Sequence, residues 1–162
     1  MLAYLFWHRL QPKVLRADYE SHLTDFHSAL GPDVVESASF RLRRLPFSTV
    51  DGYEDWYVVK NWGSLGELRE AVMKPHLRSV HDVVAPLTAQ TWGGLYRLAH
   101  GTSMLPGETR WESKPTGESY EAFVARQEVD AIWQRQLVLG PAPEFCFIRG
   151  GMSDREQVWP KN

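Results

Sequence analysis

The stretch Leu2–Leu10, LAYLFWHRL, alternates Leu2, Tyr4, Phe6, His8 and Leu10 with Ala3, Leu5, Trp7 and Arg9. A strand sends alternate side chains to opposite faces, so both faces of this one are largely apolar. A sheet built on it must be covered twice. One cover has to be helical, and the other is either a twin subunit or the chain's own C-terminal third. The stretch lacks a basic leading segment and a small-residue cleavage site, so it is expected as a first strand and not as a leader.

The segments that follow supply the first cover. Asp18 offers an N-cap to a helix whose stripe is Tyr19, Leu23, Phe26, Ala29 and Leu30, stopping at Gly31-Pro32. A strand is expected from Val34 to about Leu45, then an Asp51-Gly52 turn and a third strand in EDWYVVKNW. Helix is expected over 64–89, restarting at Pro75, and TWGGLYRLAH at 91–100 reads as a fourth strand. This order, βαββαβ, predicts an α+β domain over 1–101: a ferredoxin-like antiparallel sheet with its helices on one face. Downstream, WESKPTGESYEAFVARQ echoes WHRLQPKVLRADYESHLTDF, and IWQRQLVLG and EFCFIRGG flank Pro141-Ala-Pro143. These predict a partial βαβ(β) repeat over 105–152 packed on the first domain. Residues 153–162 are expected to be a loosely held polar tail.

Composition narrows the function classes. A formal charge of −2 and a pI near 6.3 argue against general nucleic-acid binding. Arg41, Arg43 and Arg44 fall on two faces of one strand and form no single phosphate-reading patch. The lone cysteine, Cys146, can make no internal disulfide and points to a reducing compartment, so the cytoplasm is expected. No apolar run approaches the ~20 residues of a membrane span. CxxC, HExxH, P-loop and GxGxxG patterns are absent from the sequence, which removes their anchors for zinc, nucleotide or Rossmann chemistry. Seven tryptophans suit an apolar cavity or plain core packing.

The histidines are the candidates for chemistry. His76 and His81 are five residues apart, a turn of roughly 140° from a shared helical ligand face, so a two-histidine metal site is not expected there. His81 flanks the stripe Leu77, Val80, Val84 and Leu87 and is either ligand-facing or a hydrogen-bonded boundary residue. His8 lies on the Tyr4 and Phe6 face, where a neutral imidazole can act as base or simply pack. Trp7, Trp62 and Trp92 are expected to shape a pocket, with Arg97 or Arg135 stabilising negative charge. Cys146 reads as a buried, inert thiol.

The βαββαβ order, the doubly apolar first strand and HLRSVHDVVAPL after the third strand together resemble the dimeric α/β-barrel superfamily. His76-Leu77-x-Ser79-x-His81 is similar to a helix of its antibiotic-biosynthesis-monooxygenase-like members, with Pro75 standing where that motif has alanine. The resemblance implies a homodimer, with two sheets packed face to face and a ligand pocket between each sheet and its own helices. It implies that His81 faces the pocket and would be the axial ligand if haem were bound. The expected function is a small-molecule enzyme of the cofactor-independent oxygenase type acting on an aromatic or apolar substrate. A non-catalytic haem or small-ligand binder and a structural or interaction protein are the alternatives.

Overall fold

A computed structural model describes residues 1–103, 105–137, 140–153 and 155–160. Its elements are β1 (Leu2–Leu10), α1 (Arg16–Ser28), β2 (Val34–Leu42), β3 (Gly52–Val59), α2 (Trp62–Val72), α3 (Pro75–Val84) and β4 (Thr88–Gly101), followed by β5 (Glu108–Glu112), α4 (Tyr120–Ala125), β6 (Ala131–Arg135), β7 (Phe145–Arg149) and β8 (Glu156–Trp159). Pro75 opens α3, where its missing N–H costs nothing. Asn61 caps α2 by accepting from the Ser64 amide at 3.1 Å. The N-cap of α1 is Leu15, which makes no side-chain capping bond, and Asp18 sits in the first turn, where its charge favours the positive helix end.

All eight strands form one sheet in the order β5-β7-β6-β4-β1-β3-β2-β8, every paired neighbour antiparallel. The sheet curls into a half-barrel. Trp111 on β5 lies several strands from β1, yet its ring reaches Trp7 and Tyr96 at 5.5 Å and Trp56 at 6.1 Å. Inside the curl, Ala3, Leu5, Trp7, Phe40, Trp56, Tyr96, Leu105, Trp133, Cys146 and Ile148 make one core. The convex side carries α1, α2 and α3 over Leu2, Tyr53, Tyr57, Val59 and Leu95. Farther along the sheet, α4 sets Phe123 against Phe145 and Phe147.

This architecture corrects the family reading. A two-helix ferredoxin-like sheet of the dimeric α/β-barrel type is not what the chain forms, because its C-terminal third adds strands to the same sheet and a fourth helix. The face that a twin subunit was expected to cover is covered from within: Ala3, Leu5 and Trp7 are fully buried in the single chain. The homodimer inferred from that face therefore has no bare sheet to form on. The final β(β) of the expected partial repeat, IWQRQLVLG and EFCFIRGG, is two strands, β6 and β7, which pair with each other; residues 138–139 lie outside the described ones.

The end of the chain, expected as a loose tail, carries β8 on β2. It is fastened by Arg155, which meets Glu54 at 2.9 Å, donates to the carbonyls of Leu105 and Gly107, and lies 3.9 Å over the Phe40 ring. Thus the approach to β8 at one sheet edge is tied to the approach to β5 at the other. Among the described residues no helix is long and apolar enough to cross a membrane.

Candidate functional site

Burial on both sides makes β3 the strand where polar residues are most informative, since every residue from Gly52 to Val59 is buried. Its alternation sends Glu54, Trp56 and Val58 into the curl and Tyr53, Asp55, Tyr57 and Val59 toward the helices. Glu54 is matched there by Arg155 and by the indole N–H groups of Trp7 and Trp56 at 2.9 and 2.8 Å. Asp55 is not matched in this way. Among the described residues its carboxyl accepts one hydrogen bond, from the Ser39 hydroxyl to Oδ1 at 2.6 Å. His8 Nδ1 stands 3.6 Å from Oδ2, beyond hydrogen-bond reach.

Asp55 belongs to the wall of a cavity of about 760 Å³ between the sheet and α1, α2 and α3. The size is that of a site for a drug-sized ligand. Aromatic side chains dominate the lining: Tyr4, Phe6, Tyr19, Phe26, Tyr57 and Trp62. Leu65, Leu68, Val72, Met73 and Val84 add aliphatic surface. Arg69 is the one guanidinium on the wall; with its side chain 87% exposed it marks the opening.

Behind the wall sits His8, fully buried between Phe6 and Tyr53, its ring stacked on the latter at 5.4 Å. Its Nε2 forms a hydrogen bond with the Tyr19 hydroxyl. Burial lowers the His8 pKa to about 3, so the imidazole is neutral. Burial also raises Asp55 to about 7, opposed by the Ser39 hydrogen bond and assisted by the Glu54 charge. Tyr19 is pushed well above the usual phenol range by burial and then by Asp55. With His8 neutral, the arrangement consistent with both neighbours has Tyr19 donating to Nε2 and Nδ1–H facing the ionised Asp55.

No protein-family model matches the sequence, and no curated protein is significantly similar to it. The site must be read from its own atoms.

The sequence-derived candidates separate. His81 lies on the cavity wall, its side chain 42% exposed, with Nδ1 3.3 Å from Asp82 and its ring edge-on to Phe26. Trp62 is also on the wall. Trp7 and Trp92 sit on the concave face of the sheet, with Trp7 spent on Glu54 and Trp92 packed on Phe47. Arg97 is exposed on β4, and Arg135 holds the carbonyls of Gly140 and Ala142, bracing the β6–β7 connection. So His81 and Trp62 share the cavity, His8 stands behind it, and Trp7, Trp92, Arg97 and Arg135 lie elsewhere.

Haem fits this wall poorly. Its imidazole would be the half-exposed His81, and its propionates would have only Arg69. Among the described residues no group of three or more acidic, histidine or cysteine side chains is placed to hold a metal ion.

Sequence reasoning missed Asp55, Tyr19 and Ser39. A signal for Asp55 was present: in GYEDWYVV an acid stands in the otherwise apolar row Tyr53, Tyr57, Val59. A buried row tolerates a carboxyl only where something demands it.

Proposed function

We propose that the protein is a small-molecule enzyme acting on an aromatic or apolar substrate held between β1, β3 and helices α1–α3, and that its chemistry begins with transfer of a proton to Asp55. One observation carries this reading: a nearly unpartnered carboxyl stands on the wall of a large aromatic cavity, with Tyr19 on the same wall and its partner His8 behind it. A base works best when its pKa lies near the working pH, and burial brings Asp55 there. Tyr19 keeps its proton, which it donates to His8 Nε2, so it adds no negative charge beside Asp55. His8 orients Tyr19, and Ser39 fixes one oxygen of Asp55.

A cofactor-independent oxygenase is the form of this chemistry that an apolar cavity serves directly. Loss of a proton to Asp55 leaves a substrate anion, which passes one electron to dioxygen; the two radicals join as a substrate peroxide, which takes the proton back. The test is oxygen consumption with a panel of phenolic and enolisable aromatic compounds, without added flavin or metal. Turnover should fall at least about 100-fold in Asp55→Asn. Consumption that is equal in wild type and Asp55→Asn, or absent across the panel, would overturn the reading.

A further inference from the structure

We propose that the cavity takes a lipophilic amine, its protonated nitrogen seated on Asp55 and its apolar body lying among Tyr4, Phe6, Tyr57 and Trp62. The inference rests on reading this cavity as a small-molecule site and adds a class of molecule that it takes; a bound ammonium holds Asp55 ionised, so the amine competes with a substrate that needs Asp55 as base. Two buried acids are adjacent on β3, and the protein neutralises one of them. Glu54 has a guanidinium at 2.9 Å and two indole donors. Asp55 is 1% exposed and has a single hydroxyl. A buried carboxylate without a cation is costly, and an incoming ammonium supplies the charge that the fold withholds.

Among the described residues the groups facing Asp55 supply no competing cation. His8 approaches from β1, Tyr19 from α1 and Ser39 from β2. Tyr57 shares its strand face, and Glu54 lies behind on the other face. Helices α2 and α3 bring Arg69 and His81 to the wall, where both side chains are substantially solvent-exposed. Aromatic faces around a carboxylate attract an organic cation a second time, through their quadrupoles. An anionic ligand would meet Asp55 as a like charge, and a neutral hydroxyl could give its second oxygen a hydrogen bond but no countercharge.

Three probes on one ring system separate the cases: tryptamine, tryptophol and indoleacetate, titrated by calorimetry into the intact protein at pH 8, with N,N,N-trimethyltryptammonium as a fixed cation. Both cations should bind at least about tenfold more tightly than tryptophol, and indoleacetate more weakly still. Asp55→Asn should remove the preference, bringing tryptamine to within about threefold of tryptophol. Should that variant fail to fold, wild type at pH 6 provides the check: tryptamine binding should release a proton from Asp55, seen as a heat that varies with the ionisation enthalpy of the buffer.

Tryptophol binding as tightly as tryptamine, or binding heats at pH 6 indifferent to buffer, would overturn the amine assignment while leaving the enzyme reading standing. Failure of all the probes to bind would overturn the assignment. Oxygen uptake lost in Asp55→Asn would keep the enzyme reading alive even then.

Discussion

Replacing Arg155 by methionine tests whether the last strand is held by the buried pair it makes with Glu54. The guanidinium and carboxylate are 3% and 0% exposed, and the cation also satisfies the carbonyls of Leu105 and Gly107. Removing it strands Glu54 among Trp7, Trp56 and Phe40 with two indole donors and no countercharge. Breaking such a pair from one side costs about 3–5 kcal/mol. Glu54→Gln breaks it from the other side, leaving a buried guanidinium, at a similar cost. The double variant carries no buried charge; its residual costs are one indole left short of an acceptor, about 1–3 kcal/mol, and the donors lost to Leu105 and Gly107, which the Arg155 single variant shares and which therefore cancel in the cycle. The double-mutant cycle should therefore show a coupling above about 2 kcal/mol, read from urea midpoints at constant m. Either single variant should lower Tm by roughly 10 °C in a chain of this length. Additivity within about 0.5 kcal/mol would refute the reasoning, because it would mean that Glu54 is satisfied without Arg155.

Acid sensitivity is expected from His27, which is 3% exposed, has no partner on either ring nitrogen among the described residues and is stacked against Tyr57 at 5.2 Å. Burial holds its folded pKa near 3 against the ordinary 6.5, so the unfolded chain binds the proton first. Its stabilising contribution is whole above about pH 6.5 and is lost as pH falls toward 3, about 2 kcal/mol by pH 5. His27→Phe should flatten the slope of urea stability against pH between 5 and 6.5 by about one proton, and an unchanged slope would contradict the burial argument. Gly66→Ala, whose added methyl meets nothing within 4 Å on helix α2, should raise stability by about 1 kcal/mol in the same assay. Gly94→Ala should lower it by roughly 1–3 kcal/mol, since its methyl would stand 2.8 Å from the Tyr96 ring and 3.0 Å from the Trp7 indole.

Much of the N-terminal fold was legible because its signals are local. Alternation in LAYLFWHRL, the Tyr19, Leu23 and Phe26 stripe, and Pro75 at a helix start each act within a few residues, and each element forms where its pattern lies. What covers the second face was not legible, because a twin subunit and the chain's own strands bury the same Ala3, Leu5 and Trp7 row equally well. Trp111 on β5 decides that question, and nothing in a five-residue strand announces that its indole will pack on β1. β8 was missed for a related reason. Its polar residues look solvated until Arg155 is paired across 101 positions with Glu54. Within the site, the histidines drew notice because imidazole titrates near neutrality, whereas burial has moved that role to a carboxyl.

The alternation of β3 separates stability from chemistry at neighbouring residues. Among the described residues the partners of Glu54, namely Trp7, Trp56 and Arg155, lie at the concave core, and those of Asp55, Ser39 included, lie on the helical side. Ser39 itself comes from β2, the strand between β3 and β8, so it fixes Asp55 from within the sheet without borrowing from the Glu54 cluster. Charge on one face therefore reaches the other only through the low-dielectric sheet, as the Glu54 contribution to the raised Asp55 pKa. The fold thus pairs one acid with its own arginine while the adjacent one stays close to its titration point, available to a molecule entering from the helical side.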